Sequence, residues 1–280
     1  MGTNEAFGGS GSAQWEKVRQ EWAELGGDGP AGETAADAGE DDDESEKAPY
    51  DRLVAALAQA LAGEDKDARR PVVPSVPLTA TLPRGRGGGG AAGGGVGGQP
   101  GGGGSGGRRV TAQAARGGSA IGAATAYRDR DAATLAGYGL TLQELDALSP
   151  RMRCARILEV AIGQAGHPDE QAMREASVAQ VKALVAGTPE AATISPLESI
   201  RDFIGELTVR LGLIELRDQY LAKEMTAAES RNREKGLRQW VKAKIARLDL
   251  GRYSQVSTTQ LHQVARQMSA DVLRLLRGEA

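Results

Sequence analysis

The amino-acid sequence predicts an all-α protein, and three observations carry that expectation. Apolar residues recur at i, i+3, i+4 and i+7 in one segment after another, which is the period of a helix with one buried face. Ser-Pro and His-Pro pairs stand immediately ahead of several of these segments, as N-cap and first helical residue. Nowhere does an alternating, β-branched run bounded by turn residues suggest a strand. The expected architecture is a C-terminal multi-helix domain, residues 108–280, preceded by a long, largely disordered Gly/Pro/acid-rich N-terminal arm, residues 1–83. A linker at 84–107 separates them: 16 of its 24 residues are glycine, so it has almost no side chain to bury and the most backbone freedom to lose. Proteolysis within about 84–109 is expected to leave a stable helical fragment of about residues 115–280.

In the arm, the first dozen residues are small and polar except for Phe7 and read as an exposed tail. Trp15, Val18, Trp22 and Leu25 then fall on one face of a short helix at about 14–25, ended by Gly26 and Gly27. Residues 40–46 hold six acids in seven positions, a solvated spacer. Tyr50, Leu53, Val54, Leu57 and Leu61 give a second amphipathic helix at about 49–62. Neither helix can bury its stripe alone, so each needs a partner protein or the C-terminal domain to pack on. Four prolines between 71 and 83 then favour an extended chain.

After the glycines, small residues predict a closely packed helix over 119–135, capped by Ser119 and ended by Gly137 and Gly139. Thr141 caps a short helix to Leu148. Ser149-Pro150 opens one that turns Cys154, Ile157, Leu158, Ala161 and Ile162 inward, and His167-Pro168 opens another, burying Val178, Val181, Leu184 and Val185. Ser195-Pro196 starts the strongest stripe, Leu197, Ile200, Phe203, Ile204, Leu207 and Leu211, read as the central core helix, with Gly212 kinking or ending it. Leu213, Leu216, Tyr220, Leu221 and Met225 continue helically. The polar stretch 226–236 is either part of a long helix or a turn between two; Leu237, Trp240, Val241, Ile245 and Leu248 resume the period. A last helix, capped near Ser257 or Thr259, buries Leu261, Val264, Met268, Val272 and Leu275.

Net charge is −3 over 280 residues but is divided unevenly: 17 acids against 9 bases up to residue 107, 20 against 25 after it. Such polarity suits an acidic arm that shields or guides a basic half. The single cysteine, Cys154, excludes an internal disulfide and fits a reducing compartment. With no apolar run near 20 residues and no signal-peptide pattern, a cytoplasmic location is expected and no membrane partner.

No residue is assigned a catalytic role and none a metal-binding one. The G-x-G-x-x-G matches inside the glycine run lack the strand that should precede them. His167 and His262 have no ligand-type residues at metal spacing, and Cys154 reads as a small core residue. Nucleic acid is the serious alternative. Arg231, Arg233, Lys235, Arg238, Lys242, Lys244 and Arg247 form a basic region around Trp240, and Arg84, Arg86, Arg108 and Arg109 flank the linker. Against it stand ten aromatic residues in the whole chain, few for base stacking.

Met1-Gly2-Thr3 followed by Phe7-Gly8-Gly9-Ser10, the proline-rich stretch, the glycine run, and SGGRRVTAQAARGGSAIGAA at 105–124 together resemble the QatB family of the four-gene Qat anti-phage defence systems of bacteria. LTLQELDAL at 140–148 and SPLESIRDFIGELTVRLGL at 195–213 are similar to that family's helical domain. The resemblance implies a non-enzymatic adaptor or substrate protein whose partners are a QueC-like enzyme, an ATPase and a TatD-like nuclease. Independently of the resemblance, the stripes of the two arm helices make Trp15, Val18, Trp22, Leu25, Tyr50, Leu53, Leu57 and Leu61 candidates for partner binding. The resemblance also implies no cofactor, apart from a covalent 7-deazaguanine group placed by the QueC-like enzyme on Gly2 once Met1 is removed. The family's usual serine after Met-Gly-Thr is replaced here by Asn4. N-myristoylation is not expected, because position 6 is Ala6 rather than Ser or Thr.

Overall fold

A computed structural model describes residues 13–25, 44–62, 106–216 and 226–279, and among these every regular element is helical. The element at its centre is not the one with the strongest apolar stripe. Helix α3, Gly106–Arg128, packs against α2 (Glu44–Ala62), α4 (Ala132–Gly137), α6 (Pro150–Ile162), α7 (Pro168–Leu184), α9 (Pro196–Glu215) and α11 (Leu261–Arg277). It can meet so many neighbours because most of its buried positions are small, Ala114, Ala120, Ala123, Ala124 and Ala126 beside Val110, Ile121, Thr125 and Tyr127, with glycine between them. A Cβ on Gly117 would lie 2.6 and 2.7 Å from Phe203 Cε2 and Cε1 and closer still to Cζ; one on Gly118 would lie 2.5 Å from Ala265 Cβ. The missing side chains are therefore the space that α9 and α11 occupy.

This corrects the helix expected over 119–135. Ser119 is no cap but sits mid-helix, its hydroxyl donating back to the Ala115 carbonyl at 3.2 Å. The helix begins inside the end of the glycine run and stops at Arg128. Arg130 then takes a left-handed backbone (φ 59°), and Asp131 caps the separate α4, which carries Leu135. Each glycine inside a helix costs about 1 kcal/mol of propensity; close packing of the Phe203 ring and of α11 offsets that cost here, a tertiary effect with no local signature.

The capped starts follow the sequence closely. Thr141 caps α5 (Leu142–Asp146), and Ser149, His167 and Ser195 each cap a helix with proline at its first position. A short α8, Pro189–Thr193, also has proline at its first position, but Thr188 ahead of it makes no side-chain capping bond. In α6, Cys154, Ile157, Leu158 and Ile162 are buried while Ala161 is half-buried. In α7 the inward face is Ala172, Met173, Ala176, Ser177, Val181 and Leu184, so Val178, placed inward by the sequence reading, is 38% exposed. One residue is 100° of helix, enough to carry Val178 off a face set by Met173 and Ser177.

Gly212 does not end α9, which continues to Glu215. A Cβ there would lie 2.7 Å from Leu57 Cδ1, so the glycine is a seat for α2. Residues 217–225, with Tyr220, Leu221 and Met225, lie outside the described residues. Helix α10, Ala227–Ile245, starts within the polar stretch behind a complete capping box: Glu229 N–H donates to Thr226 Oγ1 and the Thr226 N–H to Glu229 Oε2. Two 3₁₀ turns, Leu250–Tyr253 and Thr258–Gln260, lead into α11, where Leu276 is buried and Leu275 only half-buried.

The arm's two helices belong to this same core. Helix α1, Ala13–Glu24, buries Trp15, Val18 and Trp22 against α2, and α2 buries Leu53, Val54, Leu57 and Leu61 against α3, α9, α10 and α11. Helix α2 also begins at Glu44, ahead of the expected start, and carries Pro49 inside it. The glycine run therefore interrupts the chain without dividing the core. A fragment starting at 115 would lack Val110 and Ala114, both fully buried.

Candidate functional site

The eight residues put forward for partner binding are committed to the chain's own interior. Trp22, Val18, Leu53 and Leu57 are fully buried, Trp15 and Leu61 nearly so, and Leu25 and Tyr50 pack half-buried at the edge of the same core. Tyr50 fills the space left by Gly236 on α10, its Cζ only 2.6 Å from where a Cβ would stand. Polar contacts fix the seating: Arg233 of α10 donates to the Trp22 carbonyl at 2.6 Å, Lys244 pairs with Asp51 at 3.0 Å, and Arg52 lies 3.6 Å from Glu21. A stripe used this way within the chain is not available as a free anchor. Gly2 lies outside the described residues.

The basic region separates into two groups. Arg233, Arg238 and Lys244 are structural. Besides the contacts above, Arg238 reaches Glu206 at 3.4 Å and Glu234 at 3.2 Å, and Lys244 stands 4.4 Å above the Trp240 ring while donating to the Leu276 carbonyl. Arg231, Lys235 and Lys242 are exposed, as is Arg247, and none of them forms an ion pair among the described residues. The side chains of Arg108 and Arg109 are not described.

Two polar clusters went unrecognised in the sequence. In the first, the Tyr127 hydroxyl donates to Asp146 at 2.8 Å, and Arg130 meets both oxygens of that carboxylate at 2.7 and 2.6 Å. Arg153 lies 4.6 Å over the Tyr127 ring and donates to the carbonyls of Leu145, Leu148 and Val185. The Arg130 and Tyr127 hydrogen bonds hold the Asp146 carboxyl far below its usual range, and burial together with Asp146 pushes the Tyr127 hydroxyl up. A carboxylate so held is a poor base at neutral pH and that phenol a poor nucleophile, so the cluster acts as a clamp between α3, α5 and α6. In the second, Tyr253 donates to Asp271, which Arg274 meets at 2.6 Å; burial and that bond drive the phenol pKa well up. The Tyr127–Asp146, Arg130–Asp146 and Tyr253–Asp271 pairs lie 16 to 19 residues apart, beyond any local spacing rule.

His167 accepts the Asp169 N–H as a helix cap, and His262 Nδ1 sits 3.1 Å from the Thr259 carbonyl. Burial raises the Cys154 thiol pKa, which disfavours the reactive thiolate. Among the described residues no three His, Cys, Asp or Glu side chains stand close enough to hold a metal, and no helix is long and apolar enough to cross a membrane. A shallow groove of about 330 Å³ between α5, α6 and α7 is lined by Leu148, Met152, Ala155, Arg156, Glu159 and Arg174. Its apolar floor is small, and its charged rim is largely internally paired, Arg156 with Glu144 and Glu159. Comparison with protein-family models, with curated proteins and with solved structures finds no match.

Proposed function

We propose that this chain is a non-enzymatic adaptor of a bacterial anti-phage defence system of the Qat type, presenting its N-terminal tail to a QueC-like partner for modification at Gly2. The observation that carries this reading is the seating of α1. Trp15 and Trp22 are buried, and Arg233 grips the Trp22 carbonyl, so the start of α1 at Ala13 is held in one place on the helical body. The segment ahead of it is MGTNEAFGGSGS, with glycine, alanine, serine or threonine at eight of twelve positions, and at full extension it spans at most about 40 Å. A tether of that reach would let an enzyme pocket take the Gly2 amine while the body stays docked elsewhere. The resemblance at both ends of the chain supplies the partner class.

The test is co-expression with neighbouring genes that encode a QueC-like enzyme, an ATPase and a TatD-like nuclease, followed by affinity purification and mass spectrometry of the N-terminal peptide. The expected result is co-purification of these partners and a 7-deazaguanine-sized mass on Gly2. Co-purification with an unmodified Gly2 would leave the adaptor role alone; absence of every partner would remove both. Gly2→Pro is expected to abolish defence and leave the helical melt unchanged.

A further inference from the structure

Many cations on this surface are answered by acids, while others, such as Arg151, Lys182 and Arg266, stand unpaired among the described residues but singly, on different helices. Arg116 pairs with Glu170, Arg130 with Asp146, Arg156 with Glu144, Arg201 with Asp202, Arg210 with Glu175 and Glu206, and Arg274 with Asp271. The outer face of α10 differs. Residues 231, 235 and 242 fall within about 40° of one another around a 3.6-residue helix, and at 1.5 Å per residue they are about 6 and 10 Å apart along its axis. All three are exposed cations with no ion pair among the described residues. Arg238 projects from the same sector but is held back by Glu206 and Glu234. The helix itself is rigidly placed: Leu237, Val241 and Ile245 are buried, Ile245 lying over Gly205 of α9, and Thr226 and Glu229 cap its start.

We propose that this face of α10 binds the phosphate backbone of nucleic acid without reading its sequence. A row of fixed, unanswered cations suits a line of phosphates, since each phosphate neutralised releases condensed counterions. An anionic membrane fits less well. The face carries no large exposed apolar side chain to enter the acyl region; among the described residues the exposed ones are Met152 and Val178, on α6 and α7. Base stacking is also missing, because Trp240, the aromatic residue of this helix, is half-buried and covered by Lys244. Electrostatics therefore carries the interaction, and the affinity is weak and steep in salt.

Three phosphate contacts give a slope of log K against log salt of about −2.7 on duplex DNA, which is a loss of about 40-fold between about 50 and 200 mM salt. The experiment is a fluorescence-anisotropy titration of a mixed-sequence DNA duplex with the full chain at several salt concentrations. It is repeated with the R231Q/K235Q/K242Q variant and with R151Q/K182Q/R266Q, which removes the same charge from exposed sites on α6, α7 and α11. The α10 variant is expected to bind about tenfold or more weakly at low salt with its slope near zero, while the control keeps the slope of the unaltered chain. Thermal melts should coincide for all three, since every substituted residue is exposed. The proposal is overturned if the unaltered chain shows no salt-dependent binding, if the control loses as much as the α10 variant, or if phosphatidylserine vesicles are bound in preference to DNA.

Discussion

Replacing Gly117 by alanine puts one methyl group where α3 and α9 are closest. The new Cβ would stand 2.6 to 2.7 Å from two atoms of the Phe203 ring and nearer to a third, and Phe203 is fully buried. Carbon atoms in contact prefer about 3.5–4.0 Å, so the ring or the helix must retreat by about 1 Å or more within a close-packed interior. Overpacking on this scale costs about 3 kcal/mol, at the upper end of its usual range. Alanine returns about 1 kcal/mol through its better helix propensity, which leaves a net loss of about 2 kcal/mol. Urea unfolding followed by circular dichroism reads this as a lower midpoint at an unchanged slope. Phe203→Leu alone should cost about 1–2 kcal/mol through the cavity it opens. The double variant should recover about 1 kcal/mol or more relative to the sum, because the alanine methyl enters that cavity. A Gly117→Ala protein as stable as the original, or strict additivity with Phe203→Leu, would refute the packing argument.

Trp22→Ala removes a fully buried indole from the contact between α1 and α2 and should lower unfolding stability by about 3–5 kcal/mol, read in the same urea assay; a change near zero would mean that α1 is not part of the core. The Asp146 carboxyl is held low in the folded chain, so its contribution to stability is present above its unfolded value of about 3.9 and is lost as pH falls through the lower folded value. Asp146→Asn should therefore be less stable at neutral pH and lose stability less steeply below about pH 4, as thermal melts across an acid series will show. Thr226→Ala removes the α10 capping box and should cost about 1 kcal/mol in the same melts.

Helix starts were legible because Thr141, Ser149-Pro150, His167-Pro168 and Ser195-Pro196 act within one turn, and a cap needs no tertiary partner to declare itself. The hub helix was not, because its evidence is distant. Gly117, Gly118 and Gly122 break a helix on propensity and permit one only when Phe203, Ala265 and Tyr138 occupy the spaces they leave. The same reasoning covers Gly212 and Gly236, which look like stops and are seats for Leu57 and Tyr50. The apolar stripes of α1 and α2 were visible, and so was their need for something to pack on; the surfaces of the chain's own core that receive them, Gly212 and Gly236 among them, lie more than 150 residues from Leu57 and Tyr50 in sequence. In the basic region, spacing alone could not separate Arg233, Arg238 and Lys244, which hold the fold, from Arg231, Lys235 and Lys242, which face solvent.

The reading of this chain depends on α1 and α2 staying seated on the helices that follow the glycine run, and cutting the run tests it directly. A protease site placed near residue 95 would be cleaved in the purified full chain and the product passed over a size-exclusion column without denaturant. The two pieces should elute together, with Trp15 and Trp22 still fluorescing as buried indoles, because Leu57 on Gly212 and Tyr50 on Gly236 hold them without the covalent link. Separation of the pieces, with the C-terminal one keeping the full unfolding stability of the intact chain, would contradict the account.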